Sequence, residues 1–225
     1  MELTWLGHSV YRINHNGQTM YIDPFIEGNP TCPIEVDDVD EADWVLVTHG
    51  HPDHYADAVE IAQATGATLV SNFEITEDAQ EKGINNTEPM NIGGSVDLGE
   101  PVAHMTEAQH SSFGLGHQAG FVIEWDGSRI YHAGDTGLFS DMQLIAEFLS
   151  PDIALLPIGD RFTMGPESAA KAVEFLDVTQ TIPMHYNTME GIEQDPEDFR
   201  SAVGDTAEVI VLKPGETHQL MGTSV

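Results

Sequence analysis

Residues 48–55 read Thr-His-Gly-His-Pro-Asp-His-Tyr, placing His49, His51, Asp53 and His54 within six consecutive positions. Neutral imidazoles together with a carboxylate are ligands for Zn²⁺ and, less tightly, for Fe or Mn. Random placement of histidine and aspartate seldom yields such a pattern, although a short motif alone proves nothing. In a loop that leaves a strand, His49 and His51 can point to one ion, while Asp53 and His54, at the start of a helix, face a second. A metal centre is the expectation; buried polar groups satisfied by hydrogen bonds are the competing reading.

The flanking sequence says what must hold these residues. Trp44-Val45-Leu46-Val47 is a continuous apolar run of buried-strand type that delivers the chain to His49. From Tyr55 the spacing turns helical, with Ala58, Ile61 and Ala62 on one face and Gly66 as the stop, and residues 67–70 read as the next strand. Upstream, residues 3–6, 10–13 and 19–22 read as strands, the last two joined by an Asn16-Gly17 hairpin turn. Short strands at 96–98, 102–105, 119–125 and 129–131 predict a meander or a second sheet. Strands at 153–156, 181–184 and 209–212, with a helix opened by Gly165-Pro166, complete the set. Two sheets with helices outside bury these runs on both faces. No linker-like stretch or internal repeat divides the chain, so one domain over 1–225 is expected.

Ligands in open α/β folds gather beyond the carboxyl ends of strands. Here five predicted strands end in Gly7-His8, His49, Gly134-Asp135, Gly159-Asp160 and His185. One site built from several loops would look like this.

Composition constrains the setting. Thirty-eight Asp and Glu face seven Lys and Arg, a formal charge of −31, yet 40% of residues are hydrophobic and fall in ordered runs, so disorder is excluded. The acidic clusters at 35–43 and 193–198 are short and lie between apolar segments, which fits a solvated acidic shell. Self-repulsion at this charge is relieved when salt shrinks the Debye length, so the composition is that of a halophilic protein. The first residues, Met1-Glu2-Leu3-Thr4-Trp5-Leu6, lack the basic start and apolar core of a signal peptide. No apolar run is long enough to span a membrane. Cys32, the single cysteine, excludes an intrachain disulfide and reads as an incidental loop thiol. A cytoplasmic location is the expectation these features fit.

At this point the residues carry a family resemblance. His49-x-His51-x-Asp53-His54 resembles the signature of the metallo-β-lactamase fold hydrolases. Ala108-Gln109-His110-Ser111-Ser112, Ala133-Gly134-Asp135-Thr136-Gly137 and Met184-His185-Tyr186 follow in family order. Trp5-Leu6-Gly7-His8-Ser9 and Asp23-Pro24-Phe25 are similar to the starts of its small stand-alone metal-dependent hydrolases. The resemblance implies an α/β (α+β) four-layer αββα sandwich of two mixed sheets. It also implies two divalent ions, most simply zinc with iron or manganese as alternatives. His49, His51 and His110 would hold the first, Asp53, His54 and His185 the second, and Asp135 would bridge them. His104 and His117 compete with His110 only by proximity in sequence.

The chemistry implied is hydrolysis by a metal-bridging hydroxide, stabilised as charge develops on the substrate oxygen. Asp53 would orient the hydroxide, Asp135 hold the ion pair, and His8 donate a proton or touch substrate. Asp23 is expected to brace a ligand imidazole, and His132 to be satisfied in the core. Arg161 is a candidate anchor for a carboxylate or phosphate, with an ordinary ion pair as the competing reading, and Met164 in the loop beside it is expected to line the substrate pocket. A small ester, lactone or thioester, plausibly anionic, is the expected substrate. The alternatives are a phosphodiesterase of the ribonuclease Z kind and a metal-binding protein with little turnover. So few cations and no basic arm argue against RNA and DNA partners. No membrane partner is expected, and a homo-oligomer is compatible.

The charge generates a first prediction. The thermal midpoint is expected to climb steeply between about 0.1 M and about 2 M KCl, as the Debye length falls from roughly 10 Å to below 3 Å. A midpoint indifferent to KCl in a melting series would show that the acidic shell is not what limits stability.

Overall fold

The Asn16-Gly17 pair has φ of 51° and 80°, the left-handed conformation that closes a tight hairpin between β2 (Tyr11–His15) and β3 (Gln18–Ile22). This hairpin lies in the first of two compact units. A computed structural model describes residues 1–220, and these divide into unit one (Met1–Ile92, Ser111–Gln118 and the described residues from Leu212) and unit two (Gly93–His110 and Ala119–Val211).

In unit one, β1 (Glu2–Trp5) precedes the hairpin, and β4 (Trp44–Leu46), β5 (Thr68–Asn72) and β6 (Thr87–Met90) follow it. β1, β2 and β3 pair antiparallel, whereas β3 to β6 run parallel. Parallel strands need crossovers. These are α1 (Pro52–Tyr55) with α2 (Ala58–Thr65), and then α3 (Phe73–Glu81). Gly66 ends α2 in the left-handed conformation the spacing required. Val45, Val47 and Leu69 pack under Ala58, Ile61 and Ala62 of α2 and Ile75 of α3, all at most 3% exposed. α3 was invisible in the sequence: it buries only Ile75, Thr76 and Ala79, and its remaining positions read as polar loop.

Unit two begins with the meander β7 (Ser95–Asp97), β8 (Val102–Glu107), β9 (Ala119–Trp125) and β10 (Ser128–His132), all antiparallel. After α4 (Met142–Leu149) the chain continues in parallel through β11 (Ile153–Pro157), α5 (Pro166–Leu176), β12 (Gln180–Met184), α6 (Pro196–Val203) and β13 (Glu208–Val209). Gly165-Pro166 opens α5 as expected, with Pro166 in its first turn. The run 209–212, expected as a buried strand, pairs only at Glu208 and Val209 and is largely half-buried. It lies at the sheet edge, where one neighbour supplies one row of hydrogen bonds. β14 (Thr217–Gln219) closes the first sheet against β1. His15 and His218 are half-buried in β2 and β14.

Among the described residues each unit thus carries one seven-stranded mixed sheet, in the orders β14-β1-β2-β3-β4-β5-β6 and β13-β12-β11-β10-β9-β8-β7. In both, antiparallel pairing gives way to parallel pairing midway; most candidate residues follow strands from that point on, whereas His8 follows β1 and His110 follows β8 in the antiparallel halves. No described helix is long and apolar enough to cross a membrane.

The loop between β3 and β4 carries no strand, yet its backbone is held. Asp57, 4% exposed, accepts the N–H groups of Ile26 and Glu27 at 2.6 and 2.8 Å. Asp57→Ala would strand both donors and is expected to cost about 3 kcal/mol, a fall of roughly 6–12 °C in Tm. Asp57→Asn keeps an acceptor oxygen and should lose less. Equal midpoints for wild type and the alanine variant in calorimetry would refute this anchoring role.

Candidate metal centre

Asp23 ends β3 with its carboxylate wholly buried. Its Oδ1 accepts the Thr48 N–H at 2.7 Å; its Oδ2 accepts the Thr48 hydroxyl at 2.6 Å and His54 Nδ1 at 2.8 Å. A carboxylate only accepts, so His54 carries its proton on Nδ1 and presents Nε2 as a lone pair. Thr48 spends its one proton on Asp23, so its Oγ1, 3.0 Å from His49 Nδ1, accepts from that nitrogen. His49 therefore also presents a lone pair at Nε2. One buried acid sets two imidazoles in the form that binds metal. Asp23, His49 and His54 offer atoms within 4.8 Å of one another. Both Asp23 oxygens are already engaged, however, by Thr48 and the His54 ring.

The remaining members of the motif are local consequences of the chain path. His51 caps α1 and Pro52 occupies its first turn, so Asp53 and His54 project from a single helical turn. His49 Nε2 and His51 Nδ1 lie 3.0 Å apart, and the His49 and His54 ring centroids 4.1 Å apart. Gly50 between them has no room for a side chain: a Cβ would come within 2.9 Å of Leu115 and of the Ser112 carbonyl. His8, in a turn at φ 53° and fully buried, places Nε2 at 3.2 Å from Asp53 Oδ2 and packs edge-on to Phe25. So many imidazoles in contact cannot all carry charge, and neutral imidazole is the ligating form.

Unit two assembles the other three expected ligands. Asp135, 3% exposed, holds Oδ2 at 3.0 Å from His185 Nε2 and 3.6 Å from His110 Nε2. His110 is brought there by Thr136, whose hydroxyl accepts the Gln109 N–H and donates to the Gly137 carbonyl, while Gly137 N–H donates to the Gln109 carbonyl. His185 follows β12 directly, and Gly159 lies against it so closely that a Cβ would fall 2.5 Å from the His185 carbonyl. Of the neighbouring histidines, His104 stays in β8 opposite Ser95 and Val122, where burial holds its pKa below the ordinary range despite Glu124. His117 gives its carbonyl to Asn72. His132, fully buried, accepts the Gly134 N–H at Nδ1, a structural arrangement.

The expected substrate residues are placed differently from one another. Arg161 is exposed, its guanidinium 5.5 Å from the Phe162 ring and its chain lying over Gly191, where a Cβ would meet Nη1 at 2.9 Å. Met164 is 1% exposed, donating to the Thr136 carbonyl and accepting from Asp160 N–H. The Cys32 thiol is raised by burial, which suits an inert loop residue. Sequence reasoning overlooked Thr48 and Ser111, the latter with Oγ at 3.2 Å from His51 Nε2. Both stood inside quoted motifs, but hydroxyls give no spacing signal of their own.

Each unit thus gathers its own imidazole and carboxylate donors, and their tautomers and types suit borderline divalent cations. A profile of the beta-lactamase superfamily domain matches residues 2–185. A metal-dependent hydrolase of Methanopyrus kandleri is 48% identical, covering 97% of this chain and 100% of its own length. One of Methanosarcina mazei is 45% identical, covering 98% and 99%. Among solved structures, a metallo hydrolase from the hyperthermophilic archaeon Ignicoccus hospitalis is 40% identical, with a TM-score of 0.91 over 96% of this chain and 97% of its own. An isothiocyanate hydrolase from Delia radicum gut bacteria, 20% identical with a TM-score of 0.80 over 99% and 100%, shares the fold. Matched over nearly its whole length, the chain belongs to the beta-lactamase superfamily, has its metallo-β-lactamase α/β sandwich fold, and is a metal-dependent hydrolase.

Proposed function

We propose that the chain is a dinuclear hydrolase of small esters, lactones or thioesters, acting as one catalytic domain over 1–225 in the cytoplasm of a high-salt cell. In this reading His49, His51 and His110 hold one cation, Asp53, His54 and His185 a second, and Asp135 joins them, with zinc the favoured metal. The observation that carries it is the shared oxygen of Asp135, which reaches toward His185 and His110, ligands of different ions in this scheme. Bound there, the cations would supply an activated water near neutral pH and stabilise developing negative charge on the substrate.

The chain's own residues do the rest. His8 Nε2 faces Asp53 Oδ2 and holds that carboxylate in one orientation, while Asp23 and Thr48 keep Nε2 of His49 and His54 available. Arg161 makes no ion pair among the described residues, despite the 38 acids of the chain, which fits an anchor for an anionic substrate group. Met164 supports the loop that carries it. The acidic surface disfavours nucleic-acid partners.

The deciding assay is a panel of esters, lactones, thioesters and phosphodiesters offered at high salt to metal-loaded wild type and Asp135→Ala. Hydrolysis of carbonyl substrates by wild type, lost in the variant together with one of two bound metal ions, is the expected result. Turnover of bis-aryl phosphodiesters alone would move the assignment to phosphodiester chemistry, and no turnover at all would sink the enzyme reading for these substrate classes. Separately, Asp23→Asn removes the carboxylate that sets both tautomers. Metal titration should then show affinity reduced roughly 10- to 100-fold, and unaltered affinity would mean that the imidazoles need no brace.

A further inference from the structure

The loop 111–118 of unit one puts Phe113 where burial alone would not. Its ring is 73% exposed and its backbone sits at φ 51°, a left-handed conformation costly for a bulky residue. Both penalties are sustained because the loop around it is clamped. Ser112, buried, accepts the Gly50 N–H at 3.1 Å and donates to the Leu115 carbonyl at 2.7 Å; Leu115 N–H returns to the Ser112 carbonyl. Asn72 Nδ2 donates to the carbonyls of Leu115 and His117, while its Oδ1 caps α3 at Ile75. Gly116 is pressed so close to α3 that a Cβ would stand 2.5 Å from Glu74 Oε2.

The tip has a defined neighbour. The Phe113 ring centroid lies 6.1 Å from that of His51 at an interplanar angle of 74°, and the adjacent Ser111 hydroxyl lies against His51 Nε2. A rigid aromatic surface therefore stands beside a proposed metal ligand, and its preorganisation removes the ordering cost of a mobile loop. Ser111 and Gly114 on either side are exposed and offer little apolar area. One isolated ring is far too small for an interface between chains. It is large enough to cover one substituent of a small molecule.

We propose that Phe113 is a specificity-determining residue: its ring receives the apolar acyl or aryl substituent of a substrate whose reacting carbonyl is presented at His51. This rests on the hydrolase reading above and narrows its substrate class to carbonyl compounds with an apolar acyl part, preferred over acetyl. Each methylene covered by the ring contributes roughly fourfold in affinity.

The test compares zinc-loaded wild type, Phe113→Ala and Phe113→Leu at high salt. Calorimetry with acetate, hexanoate and phenylacetate reads binding without turnover, and the corresponding thioesters give kcat/KM. Wild type should prefer the longer and aromatic acids over acetate by on the order of tenfold. Phe113→Ala should abolish that preference with acetate binding unchanged, and Phe113→Leu should keep most of it. Preference retained in Phe113→Ala, absent from wild type, or lost together with acetate binding would overturn the proposal, as would a dimer that Phe113→Ala dissociates. Failure to hydrolyse any thioester would instead strike thioesters from the proposed substrate class, and the binding series would still decide the role of Phe113.

Discussion

The buried carboxylate of Asp23 is the constraint on which the first unit turns. Removing a charge from water is expensive, and only a full complement of donors makes it tolerable. Those donors are the backbone and hydroxyl of Thr48 and the ring of His54, so the end of β3, the end of β4 and the first turn of α1 are pinned to one point. Because Thr48 must donate to Asp23, it must accept from His49. Protonation states two bonds removed from any ligand position are thus dictated by a residue that need not touch metal. The left-handed backbone of Asp23, φ 49°, is tolerated because the same contacts over-determine it.

Unit two reaches a comparable result by another route. There the acid is itself the expected ligand, and the support comes from Thr136, which stitches the segment before His110 to the loop after β10. Glycine supplies close approach in both units: a Cβ at Gly50 would meet Leu115 and the Ser112 carbonyl, and one at Gly159 the His185 carbonyl. These are positional requirements of packing.

Membership in the superfamily says less about substrate than about chemistry, because one fold hosts many reactions by varying its loops. Most expected donors follow strands that have a parallel neighbour, His110 alone following the antiparallel β8, while Arg161 and Phe113 sit on loops. What distinguishes this chain is therefore carried by residues outside the ligand motif. The acid excess belongs to neither layer, since net charge of this kind bears on solubility and self-repulsion rather than on fold.

By itself the sequence determined the elements whose signal is local. The hairpin at Asn16-Gly17, the apolar run 44–47 before His49, the stop at Gly66 and the opening of α5 at Gly165-Pro166 each follow from turn chemistry or periodicity over a few residues. The motif of His49, His51, Asp53 and His54 was legible for the same reason, because the four lie within six consecutive positions, His49 in the loop after β4, His51 capping α1, and Asp53 and His54 in its single turn. Helices α3, α4 and α6 were not, since part of each apolar stripe is short or exposed and their stability comes from the partner they pack on. Tertiary structure alone decided that Thr48 relays from Asp23 to His49 and that Phe113 is held exposed beside His51. Those facts depend on contacts between segments tens of residues apart, and no spacing within either segment encodes them.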